Sequence, residues 1–262
     1  QGSIVDRTHL IEFLLSKKVN IKRLFALEHG LRGKLDAGEE VRDGIDLKTN
    51  IPVTSLYGKN KEPSFDDLKE LDIIVYDIQD IGVRFYTFIS SLYHIMNSCS
   101  KYKKTCLILD RPNSNANNIS GPVLEKDQKS FLGMYPIPVV YGLTTGELAL
   151  MSKGEGWVSK KVNLKVIPIK NWKRHIKPKL KIKPSPNLPD DISISHYPSL
   201  ALFEPTIVSI GRGTYKPFQV IGHPSISNAK FSFKPKSIDG MSKEPKHKDK
   251  ICYGEDLSNS KN

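Results

Sequence analysis

Carboxyl groups stand just after three of the apolar runs in this 262-residue sequence. Glu28 follows the run LFAL, Asp77 and Asp80 follow IIVY, and Asp110 follows LIL. Because ligands of an open parallel α/β sheet bind outside the carboxyl ends of its strands, we expect these side chains at one edge of a sheet. Glycoside hydrolysis uses such a pair, with one carboxyl protonated for the leaving oxygen and one ionised as nucleophile or base.

Each of these carboxyl groups also has a structural interpretation. Aspartate commonly caps a helix or pairs with arginine, and this interpretation is the favoured one for Asp77 and Asp110. It is weaker for Glu28, because glutamate is a poor N-cap and this one opens a glycine-marked loop. For Asp80 neither the catalytic nor the structural interpretation is favoured. His29 is either a sugar-binding donor or an ordinary loop histidine.

Other polar residues carry weaker signals. Thr144 and Glu147 have the spacing of a capping box, which favours a structural role for Glu147. Glu204 stands in the segment LFEPT, where no pattern separates a site role from simple exposure. Arg212 lies between two glycines, and backbone N–H groups beside a guanidinium suit an anion or a carboxylate.

Several motifs that would assign a cofactor or a metal do not occur in the sequence. There is no GxGxxG after a strand, no phosphate-binding GxxxxGK[ST], no HExxH, no CxxC and no GxSxG. We therefore expect neither a dinucleotide cofactor nor a metal ion, and no serine-hydrolase mechanism. The cysteines Cys99, Cys106 and Cys252 have neither a disulfide framework nor metal-ligand spacing.

Helices and strands must alternate along the chain to bring these residues to one edge. Apolar periodicity predicts helices over 8–17 (capped by Asp6 or Thr8), 65–71, 85–100 and 144–153. Continuous apolar runs predict strands over 19–27, 71–78, 105–110, 137–142 and 162–169, and a long polar loop covers 28–50. This pattern indicates an α/β fold: a Rossmann-like, mostly parallel sheet with helices on both faces.

The pattern changes after residue 172. Prolines cluster, helical periodicity disappears, and short segments such as TIVSIG, FQVIG and KFSFKP follow, while the last ten residues form no obvious element. We therefore assign 1–172 to the Rossmann-like catalytic domain. The remainder, 173–262, is predicted to form cleft-forming loops and the beginning of a smaller C-terminal domain.

Composition excludes some classes of protein and leaves others open. Apolar residues make up 38% of the chain and charged residues 26%, so a packed core is feasible, and no apolar run reaches the ~20 residues of a membrane span. The net charge is +12, and only eight of the 40 basic residues are arginine. The segment 160–183 has ten basic and no acidic residues, which fits a solvated lysine face or a surface for an anionic polymer.

Long motifs of the chain resemble one known family. FALEHGLRG, DIIVYDIQDIGVRFYTFIS, LDRPN, SFLGMYPIPVVYGLTTGELA, YPSLALFE, SIGRGTYKPFQVIGHP and CYGEDL resemble the DUF1343 family, over about 3–257. Characterised members of that family are NamZ-type exo-β-N-acetylmuramidases of glycoside hydrolase family 171. The resemblance implies a Rossmann-like domain joined to a smaller C-terminal domain, with the active site in the cleft between them.

The resemblance also implies an activity and a set of site residues. It implies release of N-acetylmuramic acid from the non-reducing ends of peptidoglycan fragments by a bacterial protein exported to the periplasm or the cell exterior. Glu28 of the EHG motif is then the first catalytic candidate, and Asp80 is the first choice for its partner, ahead of Glu204 and Asp110. The residues expected to bind the sugar, its lactyl carboxylate or its acetamido group are His29, Arg84, Tyr86, Asp110, Asn113, Asn187, Glu204 and Arg212.

The chain departs from the family in sequence and in extent. Ala116, Pro205 and Tyr215 replace residues that the family motifs usually have. The resemblance also implies a further strand before Gln1 and a longer C-terminal part, so we expect a fragment of an exported protein. A parallel sheet without one of its central strands would expose apolar surface.

Two other functions remain open from sequence alone. The chain could be a wall-glycan-binding protein that has lost catalysis, or a nucleotide- or nucleic-acid-binding α/β protein suggested by charge. The missing phosphate loop and the scarcity of arginine count against the second, so we expect muramyl saccharides rather than nucleic acid as partners.

Overall fold

The computed structural model describes residues 3–5, 7–32, 35 and 39–260. The chain divides into two compact units, the first formed by 1–33 and 40–178 and the second by 34–39 and 179–262. The mixed α/β fold with a parallel sheet is confirmed, whereas the Rossmann-like classification and the boundary at residue 172 stay predictions.

The first unit alternates strands and helices as its apolar pattern predicts. Its elements in chain order are β1 (Ile4–Val5), β2 (Thr8–His9), α1 (Leu10–Ser16), β3 (Leu24–Ala26), β4 (Gly44–Ile45), β5 (Pro52–Ser55), α2 (Phe65–Leu68), β6 (Ile73–Tyr76), α3 (Phe88–Lys101), β7 (Thr105–Leu109), β8 (Ile119–Ser120), β9 (Val140–Tyr141), α4 (Thr145–Gly154) and β10 (Asn163–Ile167). A short 3₁₀ turn covers Lys126–Gln128.

Two three-stranded sheets position the predicted strand ends. In one sheet β7 lies between β6 and β10, and all three strands are parallel. In the other, β5 lies between β3, which is parallel to it, and β4, which is antiparallel. The helix α3 packs on the first sheet, where the Tyr76 hydroxyl donates to the Phe88 carbonyl. Helix α1 packs on the second, with Ile11 buried against Leu24 and Ile51.

Some predicted strands differ from the observed ones. The run over 137–142 does not enter the parallel sheet: β9 instead pairs antiparallel with β8. Pro138 lies inside this run and Pro136 directly precedes it, and proline lacks the N–H donor that a central strand needs. The predicted caps of α1 also differ, because His9 is its N-cap and Asp6 lies outside the described residues.

The second unit contains a helix and a sheet that the sequence pattern did not predict in full. Its elements are α5 (Asp191–Leu200), a 3₁₀ turn (Ala201–Phe203), β11 (Val220–His223), β12 (Phe231–Phe233) and β13 (Cys252–Asp256). The three strands are antiparallel, and β13 lies in the middle. The prediction that the C-terminal residues form no element is therefore wrong, because β13 spans the motif CYGED.

The sequence pattern did not predict the helix α5, for two local reasons. It begins at a capping box in which Asp190 and Ser193 exchange hydrogen bonds, a pair outside the usual Ser/Thr-x-x-Glu pattern. Pro198 lies inside the helix and masks its periodicity. The segment TIVSIG, by contrast, has no regular strand and contributes only an isolated bridge from Ser209 to Gly222.

Within the described residues, no helix has the length and apolar character required to cross a membrane. The three cysteines are buried and carry no disulfide.

Candidate active site

Glu28 lies just beyond the carboxyl end of β3, at the start of a tight turn. The Gly30 N–H donates to the Leu27 carbonyl at 2.9 Å, which closes that turn. His29 and Gly30 both have positive φ, 67° and 73°, a conformation that costs energy for histidine. The histidine side chain is 4% exposed, whereas Glu28 is half-buried. The turn therefore directs the glutamate, rather than the histidine, toward accessible space.

Two hydroxyl groups hold the Glu28 carboxyl from opposite oxygens. Tyr57 donates its hydroxyl to Oε1 at 3.0 Å, and Thr87 donates to Oε2 at 2.9 Å. Tyr57 follows β5 and Thr87 immediately precedes α3, so three separate elements of the first unit meet at this carboxyl group.

The two donors differ in their surroundings. Thr87 directly precedes α3 with helical backbone angles, and its side chain makes no capping hydrogen bond to that helix. Burial, followed by the negative charge of Glu28, raises the pKa of Tyr57 well above its usual value. Tyr57 therefore stays a hydrogen-bond donor over the whole physiological pH range.

The Asp80 carboxyl is enclosed by protein. It is 3% exposed and accepts from the Gly82 N–H at 2.6 Å and from the Tyr141 hydroxyl. Its second oxygen, Oδ1, has no hydrogen-bond partner among the described residues. Burial raises the pKa of Asp80 to about 6, and the two hydrogen bonds only partly offset that effect.

The loop after Asp80 is built around Arg84 and Asn113. Arg84 donates to the Pro122 carbonyl at 2.8 Å and to the Ile137 carbonyl. Asn113 is buried and donates to the Leu143 carbonyl at 2.9 Å. A Cβ added at Gly82 would lie 2.3 Å from Asn113, so this position admits only glycine. Tyr86 is buried and its ring meets Phe88 edge to face.

Asp110 and Asp77 have the structural partners that were the favoured interpretation. Asp110 accepts from the Thr144 hydroxyl and the Gly146 N–H, both at 2.7 Å, at the amino end of α4. Asp77 accepts from Arg111 at 2.6 Å. Glu147 forms the predicted capping box with Thr144. The carboxyl groups of Asp77 and Asp110 are thus both hydrogen-bonded within the fold. The substrate-binding role of Asp110 stays a prediction.

Three predicted site residues belong to the second unit. Asn187 is buried and donates to the Met241 carbonyl at 2.6 Å, while its Oδ1 has no partner among the described residues. Glu204 accepts from Arg212 at 2.6 Å, and that guanidinium also lies 4.9 Å from the Phe218 ring centre. Arg212 therefore already has a carboxylate partner within its own unit.

The described residues contain no group of three or more His, Cys, Asp or Glu side chains placed to hold a metal ion. The chemistry available at Glu28 is that of carboxyl and hydroxyl groups.

Tyr57 and Thr87 are the residues of this site that were not selected from the sequence. Tyr57 stands two residues after β5, so the same strand-end rule that selected Glu28 applies to it. Thr87 has no such signal: it is 59 positions from Glu28, and only the fold brings the two together.

The comparisons with known proteins agree over the whole chain. Two family models match: "Exo-beta-N-acetylmuramidase NamZ, N-terminal" over residues 1–192 and "Exo-beta-N-acetylmuramidase NamZ, C-terminal" over residues 195–262. The peptidoglycan β-N-acetylmuramidase NamZ of Bacillus subtilis (strain 168) is 41% identical over 254 residues. That match covers 91% of this chain, and the chain spans 61% of the length of that relative.

Two solved structures have the same fold. Both are DUF1343 family proteins from Bacteroides fragilis NCTC 9343. The first has a TM-score of 0.88 and 42% sequence identity, covering 99% of this chain and 70% of that one. The second has a TM-score of 0.82 and 34% identity, covering 95% and 67% respectively.

Proposed function

The chain belongs to the exo-β-N-acetylmuramidase NamZ family, and from this premise we propose that the full-length protein is an exo-acting glycoside hydrolase. It releases N-acetylmuramic acid from the non-reducing ends of peptidoglycan fragments, without a cofactor. The observation that supports this best is Glu28: a half-buried carboxyl at the carboxyl end of a strand, with each oxygen held by a hydroxyl donor.

Glu28 has the properties that a reacting carboxyl group needs. Its two oxygens are fixed by Tyr57 and Thr87, so the carboxyl plane does not have to be ordered when substrate arrives. The carboxyl also lies at the amino end of α3, where the helix dipole favours a negative charge. We assign Glu28 the direct carboxyl role in cleavage of the glycosidic bond.

Asp80 remains the second carboxyl in this proposal. A pKa raised to about 6 suits a general acid, which must carry its proton near neutral pH. Its enclosure by Gly82 and Tyr141 supports a different role, in which Asp80 holds the loop that carries Arg84 and Thr87. Replacement by asparagine separates the two, because a proton donor loses its function whereas a positioning residue loses it only in part.

Arg84 is the candidate partner for the lactyl carboxylate of the sugar. Its guanidinium donates to two backbone carbonyl groups, and both of the hydrogen bonds shown for it in the described part of the chain are to uncharged acceptors. A half-buried cation without a carboxylate is a better anion site than Arg212, which Glu204 already neutralises. His29, Tyr86 and Asn113 complete the proposed sugar-binding set within the first unit.

The location of the protein follows from its substrate. Peptidoglycan lies outside the bacterial cytoplasmic membrane, so we place the enzyme in the periplasm or the cell exterior. Muramyl saccharides are its proposed partners.

A chromogenic β-N-acetylmuramide tests this function directly. The full-length protein is incubated with a nitrophenyl β-N-acetylmuramide, and the products are identified by mass spectrometry. Release of nitrophenol together with free N-acetylmuramic acid is the expected result. Saturable binding of muramyl saccharide without release of nitrophenol would instead identify a glycan-binding protein.

A further inference from the structure

The segment that begins at Glu28 leads to an arginine that donates to two carboxylates. Arg32 donates through Nε and one terminal nitrogen to the two oxygens of Asp46, at 3.0 and 2.7 Å. Its other terminal nitrogen donates to Glu12 of α1 at 2.9 Å. The side chain of Arg32 is 20% exposed and that of Asp46 is 6% exposed, so this contact lies largely inside the first unit.

The pair formed by Arg32 and Asp46 is strong and directional. Two parallel N–H donors on one carboxylate form a bidentate pair, which fixes the relative orientation of the two side chains. The hydrogen bonds from Arg32 hold the pKa of Asp46 below its usual value, and the Thr49 hydroxyl also donates to this carboxylate at 2.7 Å. The pair therefore stays ionised at neutral pH.

The turn at Glu28 requires contacts of this kind on both sides. His29 has a φ of 67°, a conformation that is costly for a side chain with a Cβ and persists only where the surrounding structure enforces it. Upstream, the turn is fixed by β3. Downstream, Leu31 packs against the apolar cluster that includes α1, and Arg32 follows it directly. The ion pair of Arg32 thus fixes the downstream end of the turn.

The same ion pair joins the turn to the strand that supplies a donor to Glu28. Asp46 directly follows β4, and its N–H donates to the Ile51 carbonyl at 2.9 Å, just before β5. β4 pairs with β5, and Tyr57 stands two residues after β5. The β4–β5 hairpin therefore contacts the segment 28–32 at two points, through the Tyr57 hydroxyl and through Asp46.

We propose that Arg32 is a positioning residue for the glycosidase reaction: through Asp46, it sets the place of the Glu28 carboxyl relative to the hairpin that carries its hydroxyl donor. This inference rests on the proposed function. A displacement of about 1 Å at a reacting group can cost about 100-fold in rate, so loss of the pair lowers the rate of the chemical step. Lysine is no substitute, because one ammonium group lacks the planar fork that matches a carboxylate.

Arg23 provides a matched control at the other end of the same strand. It precedes β3, whereas Arg32 follows it. Its guanidinium donates to the Thr54 hydroxyl at 2.7 Å and pairs with Asp67 at 3.4 Å, and its side chain is 32% exposed. A general loss of stability affects the Arg23→Lys and Arg32→Lys variants alike, whereas loss of positioning affects only Arg32→Lys.

Steady-state kinetics of the full-length protein on a nitrophenyl β-N-acetylmuramide provide the first readout. We expect Arg32→Lys to lower kcat by about tenfold or more, with KM changed by less than about threefold, and Arg23→Lys to keep kcat within about twofold of wild type. If the wild type is active, an unchanged kcat in Arg32→Lys or equal losses in the two variants would overturn this inference alone. A wild type that releases no nitrophenol would refute the proposed function.

A double-mutant cycle separates positioning from a general effect. In a Tyr57→Phe background the Arg32→Lys change should lower kcat by only about threefold or less, because the geometry that it disturbs is already lost. Arg23→Lys should have the same small effect in both backgrounds. Equal losses for Arg32→Lys with and without the Tyr57 hydroxyl would contradict the positioning role.

Amide hydrogen exchange tests the same contact without any activity. The Gly30 N–H donates to the Leu27 carbonyl, so its exchange rate measures how often the turn opens. We expect exchange at Gly30 to be at least tenfold faster in Arg32→Lys than in wild type, and unchanged in Arg23→Lys. Equal exchange rates at Gly30 in the two variants would overturn the inference, whatever the activity of the protein.

Discussion

The central residue of the account, Glu28, is fixed by contacts that lie far apart in sequence. Tyr57 and Thr87 each donate one hydroxyl hydrogen bond to it, from positions 29 and 59 residues away. Because the two oxygens are held from two different elements, the fold sets the orientation of this carboxyl group.

Removal of either hydroxyl should weaken catalysis while the fold persists. Tyr57→Phe and Thr87→Val each delete one hydrogen bond to a charged group, typically worth about 1.5–3 kcal/mol, so we expect kcat to fall by about 10–100-fold with little change in KM. Steady-state kinetics of the full-length protein measure this. Thr87→Ser keeps the hydroxyl and serves as the control, and an unchanged kcat in both deletion variants would refute the positioning role.

Asp80 makes a separate prediction about stability and pH. Its folded-state pKa of about 6 lies above the value of 3.8 for a free aspartate, so the folded protein binds more protons than the unfolded chain between these values. The contribution of Asp80 to stability is therefore undiminished below about pH 4 and is lost as the pH rises through 6. The loss amounts to about 3 kcal/mol at neutral pH.

Comparison of wild type with Asp80→Asn isolates this effect. Urea denaturation of both full-length proteins at pH 4 and pH 7 gives the difference in their free energies of unfolding. Part of the effect is already lost at pH 4, so we expect the wild type to lose about 2 kcal/mol relative to the variant between pH 4 and pH 7. A difference that stays constant with pH would show that Asp80 has an ordinary pKa.

At the level of elements, the amino end of α4 is capped by a hydrogen-bond network that includes Asp110, the residue that follows β7. Thr144 accepts from the Glu147 N–H and donates its own hydroxyl to Asp110, while Glu147 reaches back to the Thr144 N–H. The carboxyl end of β7 is thereby tied to the start of α4. Asp110 therefore stabilises the carboxyl end of the sheet formed by β6, β7 and β10.

Loss of the Thr144 hydroxyl tests this cap. Thr144→Val keeps the shape of the side chain but leaves one N–H and one carboxylate oxygen unpaired, so the free energy of unfolding should fall by about 1–2 kcal/mol. Chemical denaturation measures it. Thr144→Ser, which keeps the hydroxyl, should recover most of the loss, and equal stability of the valine and wild-type proteins would contradict the role.

The sequence predicted those elements whose local signals agree with their place in the fold. The strands β6, β7 and β10 and the capping box of α4 were all expected, because apolar runs and capping residues mark them directly. The run over 137–142 does not form a parallel strand, since Pro138 within it removes one backbone donor, and α5 was not predicted because Pro198 masks its period. Glu28 was found by its strand-end position, whereas Thr87 depends on a contact that only the folded chain makes.

At the scale of the whole molecule, the net charge bears on which class of anionic partner the chain can bind. The net charge of +12 comes mostly from lysine, and a phosphate-binding loop is missing from the sequence. A lysine-rich surface suits an anionic wall polymer, which carries no requirement for bidentate base contacts.

The most direct test of the account compares wild type and Glu28→Gln in the full-length protein, with a nitrophenyl β-N-acetylmuramide as substrate. The isosteric amide keeps the side-chain volume but cannot act as acid, base or nucleophile, so we predict that kcat falls by about 10³-fold or more with an unchanged Tm. Glu62→Gln, a change at an exposed glutamate, should retain wild-type activity. Equal release of nitrophenol by wild type and Glu28→Gln would contradict the assignment of Glu28 as the reacting carboxyl.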